Sequence, residues 1–192
     1  PRRAGCTGCI TQSARRHRRK RCEDIIAGLA ASQYPEATLR PYVDALILIG
    51  PDAISSLANA LSHNSPQVRS GAVLTLGTSG ESAGHLVPKI ITLLDDDDAF
   101  VRASAAEALG KLGPAARAAA PILARKLNDK VSRVRAAAVG GLGKTAGDDV
   151  TYAALFASAL NADDASVCIA ATRVLSKLPA IATAAAENLV AA

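Results

Sequence analysis

Residues 98–113 read DAFVRASAAEALGKLG, and this stretch decides the fold. Its apolar positions, Val101, Ala105, Ala108, Leu109 and Leu112, fall at helical spacing. An acid precedes the run, where carboxylates suit free helix amides. Gly113 follows it, where a glycine permits a sharp exit. The pattern recurs outward in both directions. Val68-Arg69, Val101-Arg102, Val134-Arg135 and Val167-Cys168 stand 33 residues apart. Ala72, Ala105, Ala138 and Ala171 share that period, as do Leu76, Leu109, Leu142 and Leu175. Gly77, Gly110 and Gly143 form another column, which Ser176 breaks. Chance does not align so many columns at one period, so the chain is a repeat array.

Each unit predicts two helices. The first starts after a turn holding Ser65-Pro66, Asp97-Asp98, Asp129 or Asp163-Asp164. The second carries Ile90, Leu93 and Leu94, or Leu123 and Leu127. Pro88 and Pro121 fit its first turn, where no amide hydrogen bond is lost. A degenerate earlier copy runs from about Pro35 to His63, its first helix expected to begin near Pro41. The expectation is an all-α, right-handed α-α superhelix of four to five helical hairpins. They divide near residues 33–63, 64–96, 97–129, 130–162 and 163–192. Residues 23–192 form the solenoid. Residues 1–22 are a basic, Cys-containing arm, with 22–32 adding a turn or two of helix as a cap.

Composition agrees. Apolar residues make up 49% of the chain, yet aromatics only 3%, and Met and Trp are absent. Such a core needs many close contacts, which helices packed through Ala and Leu supply. No apolar run reaches the length of a bilayer span. The net charge of +5 is uneven. The first 22 residues hold eight Lys or Arg and no acid, which leaves a net of −3 for the rest. Arguments about nucleic acid or acidic partners therefore attach to the arm.

The runs 98–113 and SRVRAAAVGGLG at 132–143 resemble HEAT repeats, in the short subtype first associated with phycobilisome bilin lyases. The resemblance covers about four-fifths of the chain and leaves the arm outside. It implies an armadillo-like helical solenoid whose second helices line the concave side. It keeps a lyase role open, and it bears weakly on function, because solenoids serve many tasks.

The Arg column 69, 102 and 135 reads as structural ties to turn acids such as Asp96, Asp98, Asp129 or Asp164. The competing reading is a basic ladder for an acidic ligand. The run Asp95 to Asp98 matches no calcium loop and reads as capping plus solvation. Cys168 reads as an inert small side chain. Partner binding is expected on two outward columns of the second helices, one of Asn59, Thr92, Arg125 and Ser158, the other of Ser56, Lys89, Ile122 and Leu155. Residues 180–192 are nearly all apolar or Ala, a poorly capped end at which either further chain or another protein is expected to pack.

The arm reads Arg-Arg-His-Arg-Arg-Lys-Arg over residues 15–21. Like charges repel, so it is expected not to fold alone. Four readings stay open: contact with phosphates or an acidic partner, a targeting signal, a solvated tail, or an ordered arm folded back on the mildly acidic solenoid. No aromatic interleaves it, so base stacking is not supported. Cys6, Cys9, His17 and Cys22 are zinc-compatible, although the gap between Cys9 and His17 is too long for a knuckle. A disulfide or thiols are the other readings. No cofactor is indicated. His63 and His85 cannot easily share a site, and no phosphate loop, nucleophile elbow or carboxylate pair occurs. The sequence thus leans to a non-catalytic protein-binding scaffold or adaptor. A bilin-lyase-like subunit acting on a phycobiliprotein and nucleic-acid association through the arm are the alternatives.

Overall fold

The computed structural model describes residues 7–31, 39–49 and 53–190. Among the described residues the regular elements are all helical. A long helix α1 (Thr7–Ala31) comes first. Five hairpins follow among those residues: α2 (Leu39–Ile49) with α3 (Ile54–Ala60), α4 (Pro66–Thr78) with α5 (Val87–Thr92), α6 (Ala99–Leu112) with α7 (Ala120–Lys126), α8 (Ser132–Ala146) with α9 (Ala153–Leu160), and α10 (Ala165–Leu175) with α11 (Pro179–Val190). Tight three-residue-per-turn segments at Gly80–Leu86, Gly113–Ala119 and Val150–Tyr152 lead into α5, α7 and α9.

The first helices stack side by side, α4 on α6, α6 on α8 and α8 on α10. The glycine column sets their spacing. A Cβ on Gly77 would lie 2.7 Å from Ala108 Cα and one on Gly110 2.9 Å from Gly141 Cα, and one on Gly143 would overlap Val174 Cγ1. The contacted residues, Ala108, Gly141 and Val174, are themselves 33 apart, so one column packs into the next. Leu76, Leu109 and Leu142 are fully buried beneath this seam, and Ile90, Leu123 and Phe156 meet them from the second helices. Each such side chain contributes about 1.5–3 kcal/mol of transfer free energy. Gly113 and Gly147 take φ of 59° and 60°, the left-handed region expected at the exits. Pro88 and Pro121 sit in the first turns of α5 and α7.

Three local expectations need correction. The basic run is helical and belongs to α1, which passes through the division drawn at residue 22. Its like charges are tolerated because Arg16 to Arg21 are exposed, while Cys22 and Leu29 anchor the helix in the core. Arg19 pairs with Glu23 one turn on. Once that end is nucleated by packing, adding residues of good helix propensity costs little. Ser65 precedes α4 but makes no capping bond; its hydroxyl donates to Gln67 Oε1 instead. Asp129 does not cap α8 either, because Val131 occupies that position. Asp98 and Asp164 do cap, accepting from Phe100 and Val101 N–H and from Ser166 N–H. Among the described residues no helix is long and apolar enough to cross a membrane.

Candidate functional site

The arginine column is turned inward. Arg102 Nε donates to Asp129 Oδ2 at 2.9 Å and its Nη2 to Oδ1 at 3.0 Å. The remaining Nη1 donates to the carbonyls of Asp96 and Asp97. Both side chains of this pair are only 7% exposed, so no ligand reaches them. Arg69 repeats the arrangement with Asp96, at 2.8 and 2.7 Å, and with the carbonyls of His63 and Asn64. A planar guanidinium matched to a carboxylate by two parallel bonds gives strength and direction together. Arg135 donates to the carbonyls of Asp129 and Lys130, but its Nη2 stands 3.6 Å from Asp164. In the last copy Cys168 Sγ donates to the carbonyls of Leu160 and Ala162, keeping the turn contact without an ion pair. The three arginines therefore tie their hairpins to the next turn.

Three acids of the 95–98 run, Asp95, Asp96 and Asp98, are likewise engaged. Burial would raise the Asp96 carboxyl, but hydrogen bonds from Arg69 and from Asp98 N–H outweigh it and hold the group below the usual aspartate range. Asp129 is held low in the same way, burial being outweighed by bonds from Arg102 and Val131 N–H. Asp95 pairs with Lys126 Nζ at 2.6 Å, across to α7. Among the described residues no three His, Cys, Asp or Glu side chains cluster as a metal site. Cys6 lies outside the described residues, and Cys9 falls on α1. His17 and Cys22 share α1, yet five residues turn them about 140° apart, His17 exposed and Cys22 buried.

The two outward columns divide. Asn59, Thr92, Arg125 and Ser158 are all exposed, one on each of α3, α5, α7 and α9. The other column is mixed. Lys89 is exposed, Ile122 and Leu155 are half-buried against the core, and Ser56 is buried. The outward placement of Ser56 is thus corrected. It lies on α3 beside Leu57 in the degenerate first hairpin, where burial extends one residue further round the helix.

The column reading missed a groove on the first-helix layer between α8 and α10, with a volume of about 550 Å³. Gly140, Gly143 and Ala170 line it, with Lys144, Arg173 and Lys177 among its borders. A signal was present in the sequence: position 140 is Gly where the neighbouring copies carry Leu74, Glu107 and Arg173.

Comparison with known proteins bears on this geometry. The family model of HEAT repeats matches residues 54–138 and 87–176. No curated protein matches the sequence. Among solved structures, a chain of the complex of CpcE and CpcF of phycocyanin lyase from Nostoc sp. PCC7120 is similar, with a TM-score of 0.67 and 18% identity, covering 80% of this chain and 96% of that one. An engineered protein is also similar, with a TM-score of 0.56 and 19% identity, covering 85% of this chain and 80% of that one. These likenesses speak to the fold, and together with the stacked hairpins, the glycine seam and the matched repeats they lead to one conclusion: the chain belongs to the HEAT-repeat family.

Proposed function

We propose that this chain is a protein-binding scaffold that meets its partner through the second-helix face. One observation carries the reading. Asn59, Thr92, Arg125 and Ser158 are exposed in register on four successive second helices, while Leu57, Ile90, Leu123 and Phe156, two residues earlier, are buried. A fixed core thus presents a varied polar row, and extended rows of this kind are what solenoids use to hold other chains. Arg125 in that row and the exposed Lys89 in the adjacent column supply the cations of this face. Reversing both, as Lys89→Glu with Arg125→Glu, leaves the core untouched. Affinity capture from the native source should recover the partner with the parent chain and lose it with the double variant, at unchanged melting temperature. Equal recovery with both chains would overturn this placement.

A second reading has its own support. The structurally similar solenoid from Nostoc is part of a complex of phycocyanin lyase, which favours a bilin-lyase-like subunit that works beside a second subunit on a phycobiliprotein. A chromophore-transfer assay with a phycobiliprotein subunit and a bilin tests it. Transfer that depends on this chain supports the reading, and no transfer with or without a second subunit sinks it.

A further inference from the structure

The groove between α8 and α10 arises from one substitution in the repeat. At the column of Leu74, Glu107, Gly140 and Arg173, the fourth hairpin has no side chain. A Cβ built on Gly140 meets nothing within 4 Å, so the space above it is open. The same column governs charge. In α6, Glu107 neutralises Lys111 one turn on, at 2.9 Å. Lys144 and Lys177 continue the Lys111 column at the same 33-residue step. Their one-turn-earlier neighbours are Gly140 and Arg173, so neither has that acid. Lys144, Arg173 and Lys177 all border the groove and all are exposed. None of its lining residues is acidic. The Lys144 stem lies along the seam, its Cδ 3.6 Å from where a Gly110 Cβ would stand. Beyond Lys144 lies a second hollow bordered by Arg117, Asp148 and Asp149. There the Asp149 carboxylate already accepts from the Thr151 N–H and hydroxyl.

We propose that this groove binds a free aliphatic carboxylate, its chain laid over Gly140, Gly143 and Ala170 and its head group between Lys144, Arg173 and Lys177. The argument rests on charge complementarity over an apolar floor. The volume of about 550 Å³ falls within the range of small-molecule sites. Few fixed polar groups around an apolar surface set ligand orientation in such sites, and three cations with no acid among them select an anion. The groove is on the first helices, away from the polar row proposed for a protein partner.

The test is calorimetric titration of the full chain with dodecanoate below its micelle concentration, against dodecyltrimethylammonium as the chain-matched cation. Dodecanoate should bind one to one and the cation should not. Gly140→Leu fills the groove from an open position and should abolish the heat while melting no lower than the parent. Should that variant fail to fold, Lys144→Gln/Arg173→Gln/Lys177→Gln decides the matter. It leaves the floor intact and should weaken dodecanoate about tenfold, the sum of three solvent-screened contacts. Lys89→Glu/Arg125→Glu should bind dodecanoate as the parent does, which separates failure of this site from failure of the scaffold surface. Equal binding of both amphiphiles would overturn the proposal. So would unaltered dodecanoate binding in a folded Gly140→Leu chain, or binding to anionic lipid vesicles with no response to free dodecanoate.

Discussion

Gly140 and Gly141 are adjacent in α8 and have opposite surroundings. A methyl on Gly140 meets nothing, whereas one on Gly141 would stand 2.6 Å from the Ala106 carbonyl oxygen. That oxygen is backbone and cannot swing away. Glycine costs roughly 0.5–1 kcal/mol against alanine inside a helix. Gly140→Ala should therefore stabilise the chain by about that amount, and Gly141→Ala should destabilise it by about 1–3 kcal/mol through overpacking. Denaturant midpoints of the two variants measure this directly. Equal shifts for both would mean that the seam between α6 and α8 is looser than its contacts indicate. At this scale the sequence was legible in part. The columns of Gly77 and Leu76 stood out because backbone contact and core burial admit few residue types. Gly140 carried a signal as well, but a glycine beside Gly141 reads as helix packing until its open side is seen. Ser56 was misplaced although it keeps the 33-residue register with Lys89, because burial on α3 reaches one residue further round the helix than on α5.

At the scale of elements, the ties between hairpins weaken toward the C-terminal repeats. Arg69–Asp96 and Arg102–Asp129 are paired forks at 3.0 Å or less. Arg135–Asp164 is 3.6 Å apart, with both side chains more than a quarter exposed. Cys168 has only thiol contacts to carbonyls. The outer side of α10 also exposes Ile169, whose column mates Ser70 and Ala103 are buried in the inner copies. In a solenoid each repeat is held by its neighbours, so local opening follows the weakest interfaces. Amide hydrogen exchange should be faster in α10 and α11 than in α6 by about an order of magnitude or more, as sub-global opening replaces global unfolding. Uniform protection from α6 to α11 would show one cooperative unit instead. The helical hairpins were legible because each carries its own glycine exit or proline start. The helical state of residues 7–21 was not, because local charge argues against it and the anchor that overrides this lies further along, at Cys22 and Leu29.

For the whole molecule, the ladder makes stability depend on acid. Asp96 and Asp129 titrate below the ordinary aspartate range in the folded chain. Between those low values and the unfolded value of about 3.9, the unfolded chain binds more protons than the folded one. The contribution of the ties is therefore complete above that window, shrinks as pH falls through it, and is lost once pH passes the folded values. The melting temperature should be level between about pH 7 and 5 and fall steeply below about pH 4. Asp129→Asn isolates the cause. It leaves Arg102, 7% exposed, without its carboxylate. Breaking a buried pair from one side costs about 3–5 kcal/mol, or about 6–20 °C for a chain of this size. The variant should thus melt lower at neutral pH and show a shallower acid slope, so that the two curves converge as Asp129 in the parent becomes protonated. Parallel curves, offset equally at every pH, would mean that the Arg102–Asp129 tie contributes no linkage and that acid acts on the array elsewhere.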